Sequence, residues 1–294
     1  MRPAGRPLRT PVSAALATLA LATPAFVAAQ RGPTPPEAPA ALASDSAPSA
    51  GRDRGPLVRG RDLVGLGAFA AAALAVSPAD RRIARWSQRP GAHRSGLVDH
   101  TASFVRTLGG PGAVAIPLVT YGVGLLARDR GTAAVGLHVG EAVVGAVAVT
   151  EVLKAAAGRA RPYVSRDSNA ADWAFARGLR RGDDYQSFPS GHVTMSFALA
   201  TALAGEGRER WPRVNRVTGP LGFGVAALVG ASRVYHNAHW ASDVVAGAGV
   251  GTVVGSIVSR YAREHPDARL ERRLLPQVGV AGGGGAAMGY AVRF

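Results

Sequence analysis

Residues 247–258 read GAGVGTVVGSIV, an apolar run with four glycines and no charge. A similar small-residue stretch, AAAGRA, occupies residues 155–160, and aromatic residues make up only 6% of the chain. Small residues let helix backbones approach closely, whereas a β-rich core would be richer in aromatic and β-branched side chains. We therefore predict an all-α protein.

Apolar stretches of similar character recur along the chain, at residues 62–78, 111–127, 132–157, 193–204, 217–231 and 241–258. They predict a helical bundle of about six apolar helices. Several approach the roughly 17 residues that a membrane span needs at minimum, and residues 193–204 fall well below that length. We expect helices throughout, but not a span in every case.

Arginines would gather at one end of such a bundle, namely those at positions 128 and 130, those at positions 208, 210, 213 and 216, and those from position 260 onward. The positive-inside rule assigns this end to the cytoplasmic face. The opposite face would then hold Lys154 and the loop over residues 161–192. A cleaved export signal would place residue 62 outside, whereas six spans with these charges would place it inside, and the sequence leaves both arrangements open.

The N-terminus has the pattern of an export signal. Residues 1–29 combine three arginines, an apolar middle and small residues at the predicted cleavage site after Ala29, and an uncleaved membrane anchor is the alternative. Residues 30–61 are rich in proline, alanine and serine and predict a flexible linker. Residues 62–270 form the predicted catalytic domain, and residues 271–294 a tail with a short β-hairpin.

Composition excludes several classes of function. The net charge of +15 comes almost entirely from arginine, because Lys154 is the single lysine. The chain has none of the aromatic stacking positions or recognition-helix patterns that would direct this charge to nucleic acid. The absence of cysteine excludes disulfides, zinc–thiolate sites and cysteine nucleophiles.

Two polar clusters interrupt the apolar chain before residue 200. The first, KAAAGRARP at residues 154–162, places Lys154 and Arg161 seven residues apart, on one face if the helix continues, where they suit an anion or a solvent-exposed helix end. The second, SFPSGHVTMSF at residues 187–197, places Ser190 at a predicted N-cap with Gly191 behind it. A helix N-terminus binds anions, and His192 beside it can exchange a proton, although an ordinary capped helix also fits.

The third cluster, SRVYHNAHWASD at residues 232–243, contains two histidines. If a helix begins near His239, Asp243 lies one turn further on and can hold its Nδ1 proton, leaving Nε2 free to act as a nucleophile. His236 is seven residues from that aspartate and is less suitable. Arg233 adds a third cation, so the set favours metal-free phosphoryl transfer through a phosphohistidine.

Together the three clusters resemble the signature of the type 2 phosphatidic acid phosphatase and vanadium haloperoxidase superfamily. The matching elements are Lys154 with Arg161-Pro162, the run Pro189-Ser190-Gly191-His192, and Ser232-Arg233 with His239 and Asp243. Every position of the signature is matched, in order, over residues 154–243. The resemblance implies a helical bundle with its active site at one end.

The resemblance also implies a role for each residue. His239 would attack phosphorus with Asp243 orienting it, and His192 would protonate the leaving oxygen and then activate water. The oxygens of the phosphate would be held by Lys154, Arg161, Arg233 and the N–H groups around Ser190 and Gly191. No metal or other cofactor is expected, and vanadate would inhibit as a phosphate mimic.

These expectations describe an exported, membrane-associated phosphatase with a phosphorylated lipid as its substrate. Its active site would face the periplasm or the exterior. A periplasmic enzyme that is bound peripherally to the membrane is the other arrangement. A vanadate-dependent haloperoxidase, in which vanadate is the cofactor, and an acid phosphatase for soluble esters are the alternatives. A non-catalytic phospholipid-binding protein is a third. The substrate and oligomeric state stay open.

Other polar residues carry weaker signals. Asp183 and Asp184 form either an acid–base pair or a solvated loop over the site, whose wall Tyr185 and Phe188 would help to shape. His138 and Glu141 lie three residues apart in an apolar helix, which indicates either a function in the membrane or a contact between helices.

Overall fold

The computed structural model of the chain describes residues 56–93, 95–166, 168–265, 274–275, 277–280 and 286–289. The predicted signal and most of the predicted linker lie outside the described residues. The α-helices are α1 (Gly60–Val76), α2 (Asp80–Ser87), α3 (Gly96–Gly109), α4 (Pro111–Leu126), α5 (Arg130–Ala157), α6 (Arg177–Arg181), α7 (Gly191–Arg210), α8 (Pro212–Tyr235) and α9 (Ala241–Glu264). The prediction of a helical bundle is confirmed.

All six predicted apolar stretches lie in helices, but α3 was not predicted. Polar residues such as Asp99, His100 and Arg106 interrupt its apolar pattern. Tertiary contacts stabilise it instead, because α3 packs against α8, α4 and α7. Gly110 separates α3 from α4, and the two helices are bent by 52° at this break.

The glycine-rich run at residues 247–258 lies in α9 and packs against α7 at backbone distance. A Cβ atom on Gly251 would lie 2.2 Å from the carbonyl oxygen of Thr194. The same close approach occurs one turn before and one turn after, where Gly247 faces Ser190 and Gly255 faces Ala198. Residues four apart share a helix face, so the glycines form a ridge that only small residues permit.

Four helical segments are long and apolar enough to cross a membrane: Gly60–Ser87, Arg130–Ala157, Pro212–Tyr235 and Ala241–Glu264. The bent pair α3 and α4 would make a fifth span. Large apolar side chains on these helices point outward, among them Leu74 and Val152. By contrast α7, which contains the short stretch at residues 193–204, packs against α9, α8 and α5.

The bundle has two chemically different ends. Arg260 pairs with Asp62 at 2.6 Å, and Arg263 pairs with Glu209 at 2.8 Å, so the start of α1 and the ends of α7 and α9 meet at an arginine-rich end. The ends of α5 and α8 and the starts of α7 and α9 lie at the other end. Residue 62 therefore lies on the arginine-rich side, as the charge pattern predicts for a bundle of spans.

The predicted C-terminal hairpin is present. Strand β1 (Gln277–Val280) pairs antiparallel with β2 (Ala286–Gly289), in a register that sets Gln277 opposite Gly289. The last residues of the predicted apolar alternation, 290–294, lie outside the described residues.

The glycine ridge yields a prediction about stability. Gly251→Ala places a methyl group 2.2 Å from a backbone oxygen of α7, and helices cannot relieve that clash by rotating one side chain. We expect the substitution to lower the free energy of unfolding by about 1–3 kcal/mol, measured by thermal unfolding in detergent. Gly224→Ala on α8 meets no atom within 4 Å and is the control. Equal stability of the two variants would show that the ridge does not limit helix approach.

Candidate active site

The three polar clusters of the sequence meet at one end of the bundle. A Cβ atom on Gly191 would lie 3.2 Å from Nζ of Lys154. The N–H of Ser190 donates to the carbonyl oxygen of Asp243 at 3.1 Å. The ring of His239 lies 2.7 Å from the carbonyl oxygen of Ser187. Contacts across helix starts therefore assemble the site, as the resemblance implied.

The tautomer of His239 follows from its hydrogen bond. Nδ1 faces the carbonyl oxygen of Ser187, and a carbonyl oxygen only accepts, so Nδ1 carries the proton and Nε2 keeps its lone pair. The residue is 3% exposed. Burial lowers the pKa of His239 from 6.5 to about 4, against the opposing influence of Asp243, so the ring is neutral at physiological pH. This is the state that a nitrogen nucleophile requires.

Asp243 supports His239 less directly than the sequence suggested. Its Oδ2 is 3.8 Å from Nδ1 and instead accepts from the Ser187 hydroxyl at 2.5 Å and from the Trp240 N–H at 2.9 Å. Its Oδ1 accepts from Arg159. The carboxylate is fully buried and caps the start of α9, which begins at Ala241, two residues after His239. Ser187 therefore holds both residues: its hydroxyl donates to Asp243, and its carbonyl oxygen accepts from His239.

Lys154 and Arg161 do not share a helix face, because the helix does not continue from one to the other. Helix α5 ends at Ala157, and Gly158 takes the left-handed conformation with φ of 56°. A Cβ atom there would lie 2.1 Å from the carbonyl oxygen of Ala174, so glycine is required and the chain turns. Lys154 stays on the helix beside Gly191, and Arg161 reaches the site from the following segment.

Arg161 and Arg233 are both buried at this end. Arg161 donates through Nε to the backbone oxygen of Asp183 at 2.8 Å, and it also pairs with that residue's carboxylate. Arg233 is 6% exposed, and its Nε has no hydrogen-bond partner among the described residues. A buried guanidinium with an unmatched donor is costly, so it is the group in this cluster best prepared to receive an anion.

Ser190 is the N-cap residue of α7, as predicted, but its hydroxyl makes no cap bond. The buried Oγ has no partner among the described residues, and the Ser190 N–H is already bound to Asp243. The N–H groups at the start of α7 from Gly191 onward are the ones a helix leaves without an intrahelical acceptor. Of the N–H groups expected to bind an anion around Ser190 and Gly191, those from Gly191 onward are therefore the ones that stay open.

His192 lies in the first turn of α7, among these cations. Burial and, to a smaller extent, the neighbouring Arg233, His239, Arg106 and Lys154, in that order, together lower the pKa of its ring from 6.5 to about 3. Bound phosphate would oppose those charges and raise the pKa again. On its other side, a Cβ atom on Gly110 would lie 2.9 Å from Nε2 of His192, so the break between α3 and α4 borders the ring.

The weaker signals have mixed outcomes. His236 contacts the Ser232 carbonyl oxygen at 2.6 Å and Ser103 on α3 at 3.4 Å, so it links α8 to α3. The Asp184 carboxylate accepts a hydrogen bond from the Tyr163 hydroxyl at 2.7 Å, whereas the Asp183 carboxylate binds Arg161. The two carboxylates therefore have different partners.

The remaining candidates make structural contacts. Tyr185 lies under Arg177, 4.2 Å from its guanidinium, and Phe188 packs edge-on against Trp173. His138 lies 3.0 Å from Glu206 on α7, which is a contact between helices. Within the described part of the chain, no group of three or more histidines and carboxylates is arranged to hold a metal ion.

The sequence patterns did not indicate three of the groups at the site. Ser187 acts largely through its backbone oxygen, for which no residue type is diagnostic. Arg106 comes from α3, which was not predicted. Gly110 follows another glycine in the sequence GGPG, a turn signal that could have marked the break.

Comparisons with known proteins agree with the geometry. Residues 135–267 match the model of the PAP2 superfamily. A lipid A 1-phosphatase of Porphyromonas gingivalis is 40% identical over 89 residues, which are 30% of this chain and 19% of that protein. A PA-phosphatase related-family protein of Dictyostelium discoideum is 29% identical over 160 residues, 50% of this chain and 56% of that protein. The chain thus spans about a fifth of the length of the first relative and just over half of the length of the second.

A solved structure shares the fold. The crystal structure of a transmembrane PAP2 type phosphatidylglycerolphosphate phosphatase from Bacillus subtilis aligns with a TM-score of 0.50 and 19% identity, covering 71% of this chain and 98% of that one. At this identity the likeness concerns the fold alone. The match to the PAP2 superfamily model, over residues 135–267, includes all three motif clusters.

Proposed function

We propose that the protein is a metal-independent phosphatase that hydrolyses a phosphate monoester or diphosphate of a membrane lipid through a phosphohistidine on His239. The observation that carries this proposal is the state of His239: its buried ring keeps an unprotonated Nε2 because Nδ1 is bound to a carbonyl oxygen. The buried cations Arg161 and Arg233 lie beside it and influence its charge.

The first step forms the phosphoenzyme. Nε2 of His239 bonds to phosphorus while the bond from phosphorus to the lipid oxygen breaks, and His192 gives that oxygen a proton that it has taken from the monoanionic phosphate of the substrate. Negative charge on the other phosphate oxygens is balanced by Lys154, Arg161, Arg233 and the first N–H groups of α7.

The second step releases phosphate. His192, now neutral, takes a proton from water as the water oxygen bonds to phosphorus and the bond between phosphorus and Nε2 breaks. The Ser187 carbonyl oxygen holds Nδ1–H throughout, so the ring keeps its orientation and returns to its starting tautomer.

Several features support a lipid substrate and an outward-facing site. The site end carries exposed aromatic side chains, Trp173, Phe175 and Tyr163, which are typical of a membrane interface. The opposite end is rich in arginine, as cytoplasmic faces are. The matched relatives bear the names of a lipid A phosphatase and a PA-phosphatase related protein. Export with the site at the periplasmic or exterior face is part of the proposal.

Two other activities use similar groups. A vanadate-dependent haloperoxidase would bind vanadate among the same cations, and a general acid phosphatase would accept soluble esters. Halide oxidation strictly dependent on added vanadate would identify the first. Hydrolysis of soluble esters at rates equal to lipid esters would identify the second. The unprotonated His239 argues against a third alternative, a protein that only binds phospholipid.

The central prediction concerns the nucleophile. We expect His239→Ala to lower phosphate release by about a thousandfold or more and to abolish acid-labile phosphoenzyme, because no other described side chain occupies its position. The measurement is phosphate release from detergent-dispersed phosphatidic acid, phosphatidylglycerol phosphate, undecaprenyl diphosphate, a lipid A phosphate and a water-soluble ester. His100→Ala, an exposed histidine on α3, is the matched control. Near-normal turnover of His239→Ala on every ester would refute the mechanism.

A second prediction concerns pH. His239 must be unprotonated to attack, and its lowered pKa of about 4 sets the acid limb of kcat/KM near pH 4 instead of near the ordinary 6.5. His192 is neutral in the free protein because burial lowers its pKa to about 3, so the proton must arrive with a monoanionic substrate. The alkaline limb should follow the second ionisation of the phosphate, at about pH 6.

The origins of the two limbs can be distinguished with two soluble esters whose phosphate groups differ in their second pKa. The alkaline limb should move with the ester, and the acid limb should stay fixed. An acid limb near pH 6.5 that is independent of the ester would show that the burial of His239 does not govern its protonation.

A third prediction concerns the break between α3 and α4. Gly110→Ala places a methyl group 2.9 Å from Nε2 of His192 and should displace the ring. We expect kcat to fall by up to about a hundredfold with a smaller change in KM, since His192 handles the proton and does not bind the lipid. Gly122→Ala on α4 meets no atom within 4 Å and should retain activity. Equal kcat in both variants would place His192 outside proton transfer.

A further inference from the structure

Two charged residues that are not among the matched signature residues are buried directly behind the site. Asp80 is 0% exposed and lies at the start of α2, and Arg159 is 2% exposed and lies in the turn after α5. Arg159 donates to Asp80 at 2.7 Å through one terminal nitrogen and to Asp243 through the other. One guanidinium therefore bridges two carboxylates, of which one supports the proposed nucleophile.

Asp80 also holds the first turn of α9. Its Oδ1 accepts the N–H of Ser242 at 2.9 Å, and its Oδ2 accepts the Ser242 hydroxyl at 2.5 Å. Asp243, the next residue, accepts the N–H of Trp240. Two carboxylates thus bind free N–H groups at one helix start, where negative charge is favourable.

The surroundings of Arg159 keep this bridge away from water. Its guanidinium lies 4.6 Å from the ring centre of Trp173 and 5.5 Å from that of Trp240. Beyond Trp173 is a largely apolar cavity of about 940 Å³ between α1 and α9, to whose wall Arg159 and Ser242 contribute. Interactions between charges are stronger in such a medium, and an unpaired charge there is costly.

We propose that Asp80 and Arg159 are positioning residues for the phosphotransfer site, which fix Asp243 and, through Ser187, the ring of His239. The path is continuous: Asp80 binds Arg159, Arg159 binds Oδ1 of Asp243, and Oδ2 of Asp243 binds the hydroxyl of Ser187, whose carbonyl oxygen binds His239. This inference rests on the proposed function, because it assigns these residues to the same reaction.

Without Asp80, Arg159 keeps Asp243 and the carbonyl oxygen of Ala170 as partners but loses one of its two carboxylates. The Ser242 N–H loses its acceptor, and the Ser242 hydroxyl keeps only Arg159, so the first turn of α9 is held less firmly. The ring of His239 should lose orientation, whereas the phosphate-binding cations, which do not contact Asp80, should stay in place. A loss in kcat with little change in KM follows.

The chain offers a matched control at the opposite end of α9. Asp62 on α1 binds Arg260 on α9 at 2.6 and 3.2 Å and also accepts the backbone N–H of Arg59. Like Asp80, it is buried, binds one arginine, accepts one backbone N–H and ties an N-terminal helix to α9. Asp62→Asn therefore removes an equivalent buried charge without touching the site.

The experiment compares Asp80→Asn, Asp62→Asn and Arg159→Lys in the full-length protein in detergent. Asp80→Asn and Asp62→Asn should lower the melting temperature by similar amounts. Only Asp80→Asn should lower kcat, by about ten- to a hundredfold, the range found when outer-shell partners of catalytic groups are removed, with KM changed less than about threefold. Arg159→Lys keeps the charge but not the fork, so its kcat should also fall.

A second readout does not depend on activity. In protein labelled with ¹⁵N-histidine, the His239 ring should hold its proton on Nδ1 in the wild type and in Asp62→Asn, and should show a mixture of tautomers in Asp80→Asn. Equal kcat in the two asparagine variants, with an unchanged His239 tautomer, would overturn the inference. Absence of phosphatase activity from the wild type would instead refute the proposed function, and the tautomer would still test the positioning role.

Discussion

The close approach of α7 and α9 sets the position of every group in the site. Gly247, Gly251 and Gly255 bring the backbone of α9 against that of α7, so the two helices begin side by side. The Ser190 N–H then reaches the carbonyl oxygen of Asp243, and the segment before α7 supplies the acceptor for His239. A larger residue in the ridge would separate the helix starts and, with them, His239 from the N-terminal N–H groups of α7.

The second constraint is electrostatic. The site end concentrates cations around two histidines, and burial together with these charges lowers the pKa of both rings. The cluster is balanced only in part, by Glu151 beside Lys154 and by Asp183 beside Arg161, while a donor of Arg233 stays unmatched. An arriving phosphate would relieve this repulsion and restore the basicity of His192, so binding and proton transfer are coupled through charge.

Paired buried charges also organise the framework around the site. Asp62 with Arg260 and Asp80 with Arg159 link the N-terminal helices to the rest of the bundle at its two ends. In an apolar environment these pairs admit few alternative arrangements, because each displaced charge would be left uncompensated. The arginine-rich end and the aromatic residues at the site end then give the bundle a direction that suits a membrane.

The sequence by itself determined the helical class, the apolar helices other than α3, and the residues of the three clusters, because periodicity, small-residue packing and motif spacing are local properties. It missed α3, whose stability comes from its neighbours, and it left open how Lys154 and Arg161 are placed across Gly158, where contact with Ala174 imposes a left-handed turn. Only the tertiary structure decided that His239 is held by a backbone oxygen of Ser187 and that Asp243 and Asp80 share Arg159. The members of these pairs lie between 52 and 84 residues apart along the chain, so no local pattern could reveal them.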